Sequence, residues 1–494
     1  MLSEYRQRYG TYHSAINRQE YLYRSGRKEK RETAHITGEY SDLFTLSVAQ
    51  ELGQLLEGVA GYRETERASI KRLIAFARTG NLAARTREIT EEIESFETSA
   101  LIDWDGQKIG FRRSAELLAN EPDPLRRRDL SARRNDVIKG AQDMRAERFA
   151  IMQGVASSLA YRNYAAMQGD LHGIDYQRLD EAAKVVLSKT DRAYVSALSR
   201  LYARKIEIPI DEASQADLGY LHRFDEFDHF FARERMIETY RELFADLGFR
   251  ADKQKNVEID SEARPGKESF CSPIRVPEEI KLVTDLTGGQ MNYREFLRAA
   301  GQAQNYAWTS VHLYPEFRIA SERAVKASWG MLLENQMFDR HWLLGTFGFI
   351  ESEWFRHVLA LLRLMAVRAA VAKLDYELGF YSGSGNTGAR YTELMTDAVR
   401  VRFNEAGHLC DVSDDLQPAN YLRACALESQ LREHLKSKFG LRWWASRKAG
   451  EMLIDLWNLG ERYTAEELAS MIGLGKLDFD WLAKDLLDQV GSMQ

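Results

Sequence analysis

Phe296-Leu-Arg298-Ala299-Ala-Gly301-Gln302-Ala-Gln-Asn-Tyr306 is the stretch on which the reading of this chain turns. Read as a helix, it places Arg298 and Gln302 at i and i+4, one turn apart on one face. A second segment, Val325-Lys-Ala327-Ser-Trp-Gly-Met-Leu-Leu-Glu334, puts Ala327 25 residues after Gln302. None of these positions carries a group that grips a cation well. Arg298 has five donors and no lone pair, Ala299 accepts no proton, Gln302 supplies one weak amide oxygen, and Ala327 supplies a methyl group.

Both segments resemble the metal-binding helices of the thimet oligopeptidase and oligoendopeptidase F family of zinc peptidases, F-x-H-E-x-G-H-A-x-H-Y and V-T-E-G-x-A-x-L-x-E. In that family the Glu beside the first His takes a proton from metal-bound water. The resemblance implies that Arg298, Ala299 and Gln302 stand where His, Glu and His would be, and Ala327 where the third ligand, a Glu, would be. Four losses in four positions point to a site given up as a unit, so no zinc cofactor is expected.

The resemblance extends over most of the chain. Asp260-Ser-Glu-Ala-Arg264-Pro-Gly266-Lys267 and Phe270-Cys271-Ser-Pro273-Ile274-Arg-Val-Pro277 resemble the D-x-x-x-R-x-G-K and F-C-x-P-I-x-x-P runs that precede the metal helix in bacterial members. Tyr421-Leu-Arg423-Ala-Cys-Ala-Leu-Glu428-Ser-Gln430-Leu431 is similar to the Y-L-R-A-x-x-x-E-x-Q-L stretch near the family's C-terminus, and Leu159-Ala-Tyr-Arg162-Asn163-Tyr164 resembles its R-N-x-x-A helix. Family tyrosines ahead of the C-terminal stretch line the cleft and stabilise the tetrahedral oxyanion. Tyr421 matches one of them, and Gln417 stands where another is expected.

The implied fold is mainly α: a large, helical, two-lobed and clefted metallopeptidase-like architecture with a small β-sheet beside the former metal helix. A helical N-terminal lobe with a small hairpin is expected over 1–205 and a degenerate peptidase-like lobe over 206–494, the two forming one cooperative unit. The implied function is that of a pseudopeptidase, without zinc or general base, that binds a peptide, a protein or a small anionic ligand in the inherited cleft. Arg298, His312, Gln417, Tyr421 and Arg423 are the candidate ligand-binding residues. Arg298 either fills the space left by the metal, pairing with Glu322 or Glu334, or holds a ligand carboxylate through two parallel hydrogen bonds. Two alternatives stay open: a metal-independent enzyme reusing the cleft through Arg298, Tyr421 and His312, and a partner subunit of a complex.

Composition sets the bounds. With 68 basic and 74 acidic residues, a net charge of −6 and no long single-sign block, the chain lacks the concentrated basic surface that an obligate nucleic-acid partner requires. The N-terminus is charged from the start and no run reaches the roughly 18 apolar residues of a membrane span, so a cytoplasmic location is expected. Three cysteines, Cys271, Cys410 and Cys425, lack C-x-x-C spacing and suit reduced thiols.

Only eight prolines in 494 residues leave room for long helices. Met236, Tyr240, Leu243, Phe244 and Leu247 recur at helical spacing before a stop at Gly248, and Thr464-Ala-Glu-Glu467 is a capping box. Leu101 to Phe111 reads as a hairpin turning at Asp105-Gly106, and Phe270 to Leu282 as one edge strand bearing two prolines. Such an edge beside the former metal helix is where a peptide would add a strand. Gly383-Ser-Gly385-Asn-Thr-Gly388 satisfies G-x-G-x-x-G formally, but it follows a helical run, not a strand, and is read as an interhelical loop. His222 and His229, with the acidic residues between them, read as a charged helix face. Glu353 and His357 stand at i and i+4 as a possible acid and base pair.

Overall fold

Long amphipathic runs almost free of proline fold into helices along nearly the whole chain, and the mainly α expectation holds. The computed structural model describes residues 1–262, 268–319, 322–383 and 387–491. Arg264, Gly266 and Lys267 of the D-x-x-x-R-x-G-K run, and Ser384 to Asn386 of the glycine-rich loop, lie outside the described residues. In chain order the principal elements are α1 (Leu2–Arg24), α2 (Glu64–Ser99), β1 (Leu101–Trp104), β2 (Gln107–Gly110), α3 (Tyr176–Lys205), α4 (Met236–Asp246), β3 (Val257–Asp260), β4 (Phe270–Arg275), β5 (Glu279–Val283), α5 (Gly289–Trp308), α6 (Arg323–Glu334), α7 (Glu353–Tyr381), α8 (Gly388–Val399), α9 (Gln417–Phe439) and α10 (Ala465–Met471).

The chain divides into two compact units, each assembled from three separate segments. The first comprises 1–78, 225–356 and 423–482, and the second 79–224, 357–422 and 483–494. Three of the five divisions fall inside α2, α7 and α9, long helices that contribute residues to both units. Residue 205, where a lobe boundary was expected, is the last of α3 and belongs to the second unit.

In the first unit, α4 shows how the pattern becomes packing. Met236, Tyr240, Leu243 and Phe244 all point into the core, and Gly248 takes a positive φ of 91° that ends the run. Burying each such side chain contributes about 1.5–3 kcal/mol. The small sheet has the order β3-β5-β4, with β3 parallel and β4 antiparallel to β5. The single strand expected from Phe270 to Leu282 is therefore two. A turn at Val276 to Glu278 separates β4 from β5, because Pro277 cannot donate to a ladder and local alternation does not reveal such a reversal. Of the two, β4 is at an edge and carries Pro273 as expected, whereas β5 is the central strand.

α1 packs on one face of this edge strand and α5 lies against β4 and β5. Tyr21 of α1 joins Phe270, Ile274 and Val283 in a buried cluster. Asn17 donates from Nδ2 to the Pro273 carbonyl at 2.7 Å, while its own carbonyl accepts from Ser272 Oγ at 3.0 Å. One β4 carbonyl is thus already occupied by α1.

In the second unit β1 and β2 form the expected hairpin, with Asp105 and Gly106 both at positive φ, 50° and 73°. Two positive φ values match the right-handed twist of the strands, which is why Asp-Gly serves there. α7 precedes the glycine-rich loop, as read from the sequence. The charged helix expected to run through His222 and His229 is not continuous. Its helical part ends at Arg223, Phe224 turns to a φ of 26°, and His229 lies in a separate single-turn segment.

Candidate functional site: the α5/α6 helix pair

Both helices of the pair belong to the first unit, and two glycines set their distance. A Cβ on Gly301 would lie 2.3 Å from the Trp329 carbonyl oxygen and 3.1 Å from the Gly330 Cα. A Cβ on Gly330 would lie 2.9 Å from both Cγ and the carbonyl oxygen of Arg298, and 3.4 Å from Gln302 Nε2. The helices therefore touch backbone to backbone at Gly301 and Gly330, where any side chain would hold them apart. This contact brings Arg298 and Gln302 together against one point of α6. Ala327 stands one turn before Gly330 on the same helical face.

What fills this interface is an ion cluster. Arg298 donates to Glu334 through two parallel bonds, Nε to Oε2 and Nη2 to Oε1, both 2.7 Å. Arg294, one turn earlier, donates to Oε1 from Nη2 at 2.9 Å and from Nε at 3.1 Å. The Glu334 side chain is 6% exposed, whereas that of Arg298 is 50% exposed and that of Arg294 21%. Burial alone would raise the Glu334 carboxyl. The guanidiniums of Arg298 and Arg294 outweigh it and hold the group down at about 2, so it is a carboxylate at any physiological pH. Of the two carboxylates considered for Arg298, it is Glu334 that it meets.

These residues do not fit a zinc ion. Arg298 brings positive charge where the resemblance expects the first ligand, Ala299 is buried and apolar, and Ala327 offers no donor atom. Gln302 brings an amide, and both oxygens of the nearby Glu334 already accept from arginines. Among the described residues, no group of three or more His, Cys, Asp or Glu is placed to hold a metal.

The other candidates take different positions. Arg423 is fully buried and bound to two carboxylates, donating to Glu466 at 2.7 and 2.6 Å and to Glu322 at 3.1 Å. It clamps α9 to α10 and to the start of α6 inside the first unit, so its geometry is that of an interior tie and not of a cleft group. His312 is exposed on the segment between α5 and α6, with its backbone N–H on Ser310 Oγ at 3.3 Å. Gln417, the exposed first residue of α9, donates its backbone N–H to Ser413 Oγ at 2.8 Å. Tyr421 is half-buried one turn later on α9. Glu353 is exposed at the start of α7 while His357 is buried, so this pair offers no shared accessible face.

Two residues escaped the sequence reading. Arg294 completes the clamp on Glu334, and its i, i+4 relation to Arg298 was the available signal. Asn305 is fully buried on α5, with neither amide atom hydrogen-bonded, and the available signal was the last His of the F-x-H-E-x-G-H-A-x-H-Y pattern, at whose position the resemblance puts it.

The architecture is the large helical fold of oligoendopeptidase F-type peptidases. A structure described as an oligoendopeptidase F from Bacillus anthracis strain Ames superposes with a TM-score of 0.67 at 13% identity, over 93% of this chain and 86% of that one. A second oligoendopeptidase F structure gives 0.67 at 15% over the same shares, and a PZ peptidase A with a bound inhibitor gives 0.60 at 14%, over 90% and 83%. No protein-family model matches this chain, and no curated protein matches it in sequence. At identities this low the superpositions show the fold alone.

Proposed function

We propose that the protein is a pseudopeptidase: an oligopeptidase-type scaffold whose metal-gripping helix pair has become an arginine–glutamate clamp, and which binds a peptide, a protein or a small anionic ligand without hydrolysing it. One observation carries this reading. Arg298 and Gln302, at the positions where the family resemblance expects the two histidines, meet at Gly330, and the charge beside them is a carboxylate neutralised by two guanidiniums. In this reading Arg298, held in a fixed orientation by Glu334 and half exposed, supplies the positive charge that a dication supplies elsewhere. Neither a bound nucleophile nor a general base is part of it. No helix among the described residues is long and apolar enough to cross a membrane, and a reducing cytoplasmic setting belongs to the same proposal.

The test combines a panel of unstructured fluorogenic peptides with binding by fluorescence anisotropy. The expected result is no cleavage in the presence or absence of zinc, with binding of at least one anionic peptide weakened about tenfold by Arg298→Ala. Cleavage that stops on adding a chelator would overturn the proposal. Loss of turnover in Arg298→Ala with the fold intact would instead favour a metal-independent enzyme.

A further inference from the structure

In the second unit, Asp411 to Leu416 form the short loop that leads into α9. Glu377 of α7 accepts from the Ser413 backbone N–H at 2.8 Å and meets the Ser413 hydroxyl at 2.9 Å. The same Ser413 Oγ accepts the backbone N–H of Gln417, the first residue of α9, at 2.8 Å. One carboxyl group thus fixes, through one hydroxyl, where α9 begins. Around this relay Tyr381 donates its hydroxyl to the Ser413 carbonyl at 2.7 Å, Tyr164 donates to the Asp414 carbonyl at 2.6 Å, and Arg148 pairs with the Asp414 carboxylate.

Two features make this arrangement conditional. Leu416, fully buried between Ser413 and α9, has a φ of 49°, a left-handed conformation that a leucine keeps only while its surroundings impose it. Glu377 is fully buried too, and its neighbours do not compensate an ionised carboxylate. Lys373, one turn earlier on α7, is shared with Cys410, and Asp411 adds a like charge from the loop, which also carries Asp415. Asp411 is held by the Tyr391 hydroxyl of α8, Asp414 is neutralised by Arg148, and burial keeps the hydroxyls of Tyr381 and Tyr164 protonated. A neutral Glu377 keeps both contacts, one oxygen accepting the Ser413 N–H and the other donating its proton to Ser413 Oγ. An ionised one is a buried charge facing only neutral donors, and burial accordingly pushes the group up to about 8.

We propose that Glu377 and Ser413 form a protonation-controlled latch: the neutral carboxyl holds Asp411 to Leu416 against α7, and its ionisation favours release, with Leu416 relaxing out of the left-handed region and the start of α9 fraying. The freed turns carry Gln417 and Tyr421. The latch stands on its own geometry, whereas its consequence for binding rests on the proposed function, in which these two residues belong to the ligand site.

The experiment is hydrogen exchange of the full chain read by mass spectrometry at pH 6.5, 7.5 and 9, expressed as protection factors so that the intrinsic pH dependence of exchange is removed. Peptides covering 411–421 should lose protection about thirtyfold from pH 6.5 to 9, the linkage of a carboxyl that titrates at about 8 when latched and near 4.5 when released, while α3 keeps its protection. Glu377→Gln retains both hydrogen bonds and cannot ionise, so it should stay protected at every pH. Ser413→Ala lacks the hydroxyl, should be less protected already at pH 6.5, and carries the test should Glu377→Gln fail to fold. Wild-type protection unchanged across this range, or lost equally in Glu377→Gln, would overturn the latch. In parallel, anisotropy with a rhodamine-labelled hexaglutamate peptide should show wild-type affinity falling about threefold or more by pH 9, in proportion to the released fraction, and no such fall in Glu377→Gln. Exchange as expected with no peptide bound at any pH supports the latch and counts against the binding reading, whereas equal affinity at pH 6.5 and 9 would overturn the link between them.

Discussion

Replacing Glu334 by glutamine removes the one negative charge that joins two arginines across the α5/α6 contact. The carboxyl sits at about 2 in the folded chain against an ordinary value near 4.5. At about 1.4 kcal/mol per unit, the full linkage amounts to roughly 3 kcal/mol. Arg298 is half exposed and can turn to solvent once its partner is gone, so screening reduces the loss to about 2 kcal/mol at pH 7. Because the folded value is depressed, this stability is fully present above the unfolded value and disappears as pH falls from about 4.5 through 2. Urea denaturation of wild type and Glu334→Gln at pH 7, 4 and 2.5 reads it directly. The difference should be largest at pH 7 and small at pH 2.5. Equal midpoints at pH 7, or a gap that does not change with pH, would refute the claim that the clamp is electrostatic.

Other perturbations test the surrounding structure. Gly301→Ala inserts a methyl group 2.3 Å from the Trp329 carbonyl, so the two helices must separate, and thermal melting should report a loss of about 1–3 kcal/mol. Arg423→Ala strands the buried Glu322 and should destabilise the first unit by about 3–5 kcal/mol in the same assay, an effect an exposed ligand-binding arginine would not show. Glu377 is fully buried, accepts from the Ser413 backbone N–H at 2.8 Å and its hydroxyl at 2.9 Å, and is pushed up to about 8 by burial. A raised carboxyl lends its stability at low pH and loses it as pH climbs from about 4.5 through 8. Glu377→Gln should therefore overtake wild type at pH 9, by roughly 2 kcal/mol once water entry is allowed for, as read by denaturation across pH.

Much of this was legible in the sequence where a local rule suffices. Asp105-Gly106 encodes its hairpin turn, Thr464 and Glu467 make both bonds of their capping box, and Met236 to Leu247 writes its buried face in a 3.6-residue period. The motif frame placed Arg298 and Gln302 on one helix face, but the glycine contact that brings them to a single point of α6 comes from two segments that only the fold joins. The same limit hid the reversal at Pro277 and the break at Phe224, since apolar alternation and charge spacing continue through both. Arg423 illustrates the reverse difficulty. A motif arginine reads alike whether it faces a cleft or, as here, is enclosed by Glu322 and Glu466, because its partners lie about 40 and 100 residues away and only tertiary packing supplies them. The two units, each built from three segments, are likewise a property of long shared helices and not of any local composition.

The most direct measurement is the zinc content of the full chain, purified without chelator, incubated with excess zinc and then exhaustively dialysed. An α5/α6 interface closed by Arg298, Arg294 and Glu334 predicts well below one tenth of a zinc per chain. One tightly held zinc per chain, lost together with any peptide cleavage on chelation, would contradict it.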